Sequence, residues 1–357
     1  MFRTALERPR TSRRSAVCLA ATLATISLGL TACGDNETDA AHGSTSGTKE
    51  LTKVTFAMDY LPSTNHNGLA YAMQEGLFEA QGIDLELIPY VDALSDTVIA
   101  AGRAETGFSG DGETAMTTFA AGGDMKVIFS GQPHASPVVA ALASSGIESP
   151  ADFAGKTYGG YGLESEKVAL EVMMQNDGAT GEVDQAVLSV GSTEALKSKQ
   201  VDLTRLWPEH LYDFDKAGIE LNTFEYQDYG IPEGSGPAVM ARNDFLEAHD
   251  DLAHGLVAAL QEGYQMAIDD PAAANAALIA QFPELKTNTD LVDFTSEIYA
   301  EDIYANPYGP TGTTSVAQWQ AFADYMAEND LLADEGGKVL TSFDPAPYIT
   351  NDYLPAG

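Results

Sequence analysis

Four short stretches carry the side chains that could do chemistry. Asp59, Tyr60, Asn65 and His66 fall within DYLPSTNHNG, Ser109 and Asp111 within FSGDGETAM, Tyr161 and Glu166 within YGGYGLESE, and Trp207 within DLTRLWPEH. An amide such as Asn65 offers a donor and an acceptor side by side, a carboxylate accepts from amines, and tyrosine or tryptophan faces stack on flat rings. These are the tools of recognition. Neither His-Glu-x-x-His, paired Cys-x-x-Cys nor Gly-x-Ser-x-Gly occurs between residues 51 and 357, and the Gly-x-Gly pairs lack dinucleotide-fingerprint spacing. We therefore read no catalytic residue, no cofactor and no metal site.

Each stretch lies where a strand gives way to a helix. VTFAMDY precedes the helix pattern GLAYAMQEGLFEAQ, ETGFSG precedes GETAMTTFAAG, KTYGGYG precedes ESEKVALEVMMQNDG, and DLTRLW precedes the Pro208 segment. Strands alternating with helices predict an α/β chain whose mostly parallel sheets are covered on both faces. Ligands of such sheets sit outside the carboxyl ends of the strands. His66 either faces that cleft or caps the helix beginning near Gly68, and Glu166 in a first helical turn either meets a ligand or complements the helix dipole.

A second series of strands and helices follows SPVVAAL (136–142), and PAVMARNDF (237–245) reads as a strand returning to the first. Residues 51–138 and 238–357 are expected to form lobe one, residues 139–237 lobe two, with hinges near 136–142 and 234–240. Apolar residues three and four apart make the remainder helical. Together these describe two lobes joined by crossing strands, with a C-terminal helical segment on the first lobe.

The N-terminus predicts export. Five arginines precede an apolar run from Ala16 to Leu30 that ends in Leu-Thr-Ala-Cys. Such a run is short for a membrane span and reads as a signal peptide over 1–32, with Cys33 lipidated after cleavage. Residues 33–50 hold no large apolar side chain and read as a tether. The only other cysteine, Cys18, lies in the signal, so the exported chain has no disulfide. The formal charge is −35, from 18 basic and 53 acidic residues. It excludes nucleic acid as a partner and, with Arg103, Arg205 and Arg242 the only arginines after the signal, disfavours oxyanion ligands.

The stretches DYLPSTNHNGLAYAMQEGLFEAQGIDLELI, SPADFAGKTYGGYGLESEKVALEVM and GIELNTFEYQDYGIP resemble the substrate-binding proteins of ABC importers in the thiamine-pyrimidine-biosynthesis group. Within it they are nearest to the branch for formylaminopyrimidine precursors of thiamine. The resemblance implies a type II periplasmic-binding-protein fold and a heteroaromatic ligand pairing with Asn65 and Glu166 and stacking on Tyr60, Tyr161 or Trp207. It also implies an ABC permease and ATPase as partners, a monomer, and lipid anchorage through Cys33 on the extracytoplasmic face. Riboflavin-like or other heteroaromatic ligands, sulfonates, nitrate, and a pyrimidine synthase activity are the alternatives. The chain departs from the group's pattern at Gly110, where that pattern has tyrosine, and at Arg205, where it has tryptophan.

Overall fold

The computed structural model describes residues 51–91, 93–188 and 191–356. The signal peptide, Cys33 and the tether lie outside the described residues. Among the described residues ten strands occur in chain order: β1 Thr52–Ala57, β2 Ile83–Ile88, β3 Thr106–Phe108, β4 Met125–Phe129, β5 Val138–Leu142, β6 Thr157–Gly160, β7 Asp184–Val187, β8 Leu203–Leu206, β9 Leu221–Phe224 and β10 Val239–Arg242. They form two five-stranded sheets, ordered β2-β1-β3-β10-β4 and β7-β6-β8-β5-β9. The strands read from alternation are present. The sheets are mixed rather than nearly parallel, because β10 runs antiparallel to β3 and β4, and β5 antiparallel to β8 and β9.

Those two strands are the ones next to the passages between sheets. The chain leaves the first sheet after β4, enters the second at β5, and returns through residues 225–238 to β10. β5 is hydrogen-bonded on both sides, and the unladdered residues 131–137 and 231–237 connect the sheets. The two connections lie side by side: Gly236 N donates to Gln132 O at 3.0 Å, His134 Nδ1 meets Glu233 Oε1 at 2.5 Å, and Gln318 Nε2 donates to Pro133 O at 2.6 Å.

The first sheet's core is built from alternating β1 residues, Val54 and Phe56, meeting Leu256, Leu260 and Tyr264 of the helix Asp250–Asp269. Phe56 meets Phe108 edge to face with ring centroids 4.9 Å apart. The helix expected over 68–81 is two helices, Asn67–Gln74 and Leu77–Ala80, because Gly76 takes a left-handed conformation (φ 69°) between them. The C-terminal tail covers the open edge of β4, where Thr350 N donates to Val127 O at 3.0 Å.

Candidate functional site

A cavity of about 770 Å³ lies between the lobes at the carboxyl ends of β1, β2, β3, β6 and β8. Seven of the nine residues read from sequence line it: Asp59, Tyr60, Asn65, Asp111, Tyr161, Glu166 and Trp207. His66 and Ser109 do not.

His66 is 0 % exposed and lies behind the wall. Its Nδ1 accepts from Ser63 N at 3.2 Å, which leaves the ring proton on Nε2, 2.8 Å from Asp59 Oδ1. The expectation that His66 faces the cleft is corrected, and its side chain caps not the helix beginning near Gly68, which has no side-chain cap bond, but the turn Thr64–His66 before it. What the imidazole does is tie the helical turn Thr64–His66 to the end of β1 and aim Asp59. Ser109 is also 0 % exposed. Its N donates to Ala238 O at 2.7 Å and its Oγ accepts from Ala238 N at 3.0 Å. It extends the β3–β10 ladder, where a short hydroxyl can replace a backbone acceptor, and it is not available to a ligand.

The loop that carries Asn65 is held from below. Tyr264 Oη donates to Asn65 O at 3.1 Å and Tyr304 Oη donates to Thr64 O. Burial pushes both phenols well above their ordinary range, so both stay protonated donors. The Asn65 side chain is left with its Oδ1 buried and unpaired among the described residues. A buried amide oxygen without a donor carries a desolvation cost that a bound donor would remove.

Glu166 has more local work than the sequence showed. Its Oε2 accepts from Gly162 N at 3.0 Å and Leu163 N at 3.2 Å, and its Oε1 accepts from Tyr158 Oη at 3.2 Å. It thus caps the helix Glu164–Asn176 while lining the cleft. A Cβ on Gly160 would lie 2.7 Å from Glu166 Oε1, so only glycine lets the carboxylate fold back there. Asp111 caps the helix Gly112–Ala120 through Thr114 N at 2.8 Å, and its Oδ2 is 4.0 Å from Arg205 Nη2 on the facing lobe. Arg205 lies over the Trp207 ring at 4.7 Å, and its Nε is buried and unpaired among the described residues.

Sequence reasoning missed Glu113, Glu209, Tyr90, Tyr226 and Tyr325, all of which line the cavity. Glu113 and Glu209 each sit in the first turn of a helix that follows a strand end, a signal that could have found them. Tyr226 comes from a connection and Tyr325 from the C-terminal helix Val316–Glu328, and no local pattern marks either. Burial raises the pKa of Glu113 and of Glu209, which accepts from Tyr299 Oη at 3.3 Å. Burial lowers that of His210, so Arg205 is the cavity's one cation among the described residues at neutral pH. Behind the wall, burial pushes Asp96 up to about 6 although Gly110 N donates to its Oδ2 at 3.0 Å.

Two α/β lobes, two crossing connections and a ligand-sized cleft at the strand ends constitute the periplasmic-binding-protein fold. Solved structures share it. The alkanesulfonate-binding protein SsuA from Xanthomonas axonopodis pv. citri, bound to MOPS, superposes with a TM-score of 0.61 at 16% identity, over 84% of this chain and 99% of that one. The desulfurization enzyme DSZB superposes with a TM-score of 0.57 at 14% identity, over 84% and 97%. Residues 63–274 match the family described as NMT1/THI5 like, and the chain belongs to that family. A formylaminopyrimidine-binding protein of Halalkalibacterium halodurans is 23% identical over 298 residues, 79% of this chain and 87% of the relative. Among the described residues no helix is long and apolar enough to cross a membrane.

Proposed function

We propose that the protein is an extracytoplasmic, non-catalytic solute-binding component of an ABC importer that captures a thiamine pyrimidine precursor of the formylaminopyrimidine or hydroxymethylpyrimidine type. The observation that carries the reading is the cleft's polarity. The buried, unpaired Asn65 Oδ1 and the carboxylates of Asp59, Asp111, Glu113, Glu166 and Glu209 line it beside the single guanidinium of Arg205. Such a lining offers acceptors to an amine-bearing ring and little to an oxyanion. Tyr60, Tyr161 and Trp207 supply faces on which such a ring stacks, each worth about 1 to 3 kcal/mol. The relative named for formylaminopyrimidine supports the same ligand class. Cys33 anchors the chain to the membrane, the lobes (51–138 with 238–357, and 139–237) close over the ligand, and the closed monomer docks on the permease and its ATPase.

A larger heteroaromatic such as riboflavin is the second reading, favoured by a cavity of about 770 Å³. A thermal-shift panel separates them: formylaminopyrimidine, hydroxymethylpyrimidine, riboflavin, taurine and nitrate. A true ligand at a hundredfold excess over its Kd adds about 2.7 kcal/mol. A shift with the pyrimidines, reduced in Asn65→Ala, supports the first reading. A shift with riboflavin or taurine alone overturns it.

A further inference from the structure

The mouth of the cleft gathers three tyrosines from different elements. Tyr60 follows β1, Tyr90 follows β2 and Tyr161 follows β6 on the opposite lobe. The Tyr60 and Tyr90 rings are 5.2 Å apart and tilted at 48°. Tyr161 is near enough to both that, after burial, their phenols are among the causes that raise its pKa. Tyr60 and Tyr161 remain 56% and 52% exposed, so this collar of three aromatic faces is open toward the entrance. Aromatic faces carry negative potential, and a collar drawn from several elements is the arrangement that holds a cation.

The wall within carries the same sign. Five carboxylates line the cavity against one guanidinium, and that guanidinium is already shared with Asp111 and Trp207. Asp59 Oδ1 accepts from His66 Nε2, which leaves Oδ2 without a partner among the described residues. Burial raises the pKa of Glu113 and of Glu209, the mark of carboxylates held from water without a full countercharge. An arriving positive charge relieves them, and the net charge of −35 concentrates cations at the entrance.

We propose that the cleft takes its ligand as a cation, a flat amine-bearing heteroaromatic whose ring nitrogen is protonated or quaternised, its charge held between the Tyr60–Tyr90–Tyr161 collar and the free carboxylate oxygen of Asp59. This inference rests on the cleft being the capture site of a heteroaromatic, and it adds the charge state of that ligand.

The test is a calorimetric comparison on the purified protein of two probes of the same shape, the permanently charged 4-amino-1-methylpyridinium and its neutral carbon analogue 4-methylaniline, with formylaminopyrimidine titrated alongside. The pyridinium is expected to bind about tenfold or more tighter than the analogue. That preference shrinks in Tyr161→Leu, which alters an exposed side chain, and in Asp59→Asn, with circular dichroism confirming that both variants are folded. Equal binding of the two probes, binding of neither, or a preference unchanged in both variants overturns the proposal. Formylaminopyrimidine binding without a charge preference leaves capture standing and removes the cation. A charge preference without formylaminopyrimidine binding keeps the cation and removes that ligand.

Discussion

Tyr264→Phe isolates one hydrogen bond beneath the site. The ring is fully buried against Phe129 and Tyr304, with centroids 5.5 and 5.1 Å away, and phenylalanine keeps both contacts. Only the donation to Asn65 O at 3.1 Å disappears. That carbonyl keeps a weaker partner, Gln132 Nε2 at 3.5 Å, so it is not orphaned, and the loss falls near the usual net value of about 1 kcal/mol. For a chain of this size the melting temperature should drop by about 1 to 2 °C. Asn65 hangs from the same peptide, so affinity for the aminopyrimidine should fall by up to about fivefold, equivalent to the same energy. Differential scanning calorimetry and isothermal titration read the two effects. Unchanged melting together with unchanged affinity would refute the view that the helix Asp250–Asp269 positions the Asn65 loop.

Three further predictions follow from the same geometry. Gly263→Ala places a Cβ 2.3 Å from Gly68 O and 2.7 Å from Ala72 Cβ, where two helices cross, and should cost about 1 to 3 kcal/mol in a denaturant titration. The folded-state pKa of Asp96, about 6, lies above its ordinary 3.8, so its stabilising share is complete below 3.8 and lost as pH rises through about 6. Asp96→Asn should therefore be more stable than the parent at about pH 8, by up to about 3 kcal/mol, and equal to it below pH 3.8, as read from chemical unfolding at both. Pairing with Glu233 raises His134, so the tie between the two connections is fully present below 6.5 and lost as pH rises through the folded value. Chemical unfolding at about pH 6 should show the parent more stable than His134→Gln, with the difference gone at about pH 9.

Much of the architecture was legible because it rests on local rules. Strand and helix periodicities, and the placing of ligands at carboxyl strand ends, located Asp59, Tyr60, Asn65, Asp111, Tyr161, Glu166 and Trp207 around one cavity. His66 and Ser109 were misplaced because adjacency in sequence does not say which side of a wall a side chain takes. One is turned inward by a cap and the other is consumed by a ladder. The dual use of Glu166 was visible only in outline, since the capping box follows from spacing but the Tyr158 contact does not. Tyr226, Tyr264 and Tyr325 reach the site or its support from far along the chain, and no pattern within one element reports a contact between lobes. Antiparallel β5 and β10 were equally hidden, because direction within a sheet depends on where the chain crosses.

The central claim is that an acceptor-lined cleft with one guanidinium captures an aminopyrimidine rather than an oxyanion. Isothermal titration of the purified protein with formylaminopyrimidine and, separately, with an alkanesulfonate tests it most directly. The account predicts saturable one-to-one binding of the pyrimidine, weakened in Asn65→Ala, and no heat from the sulfonate. Saturable sulfonate binding with a silent pyrimidine titration would contradict it.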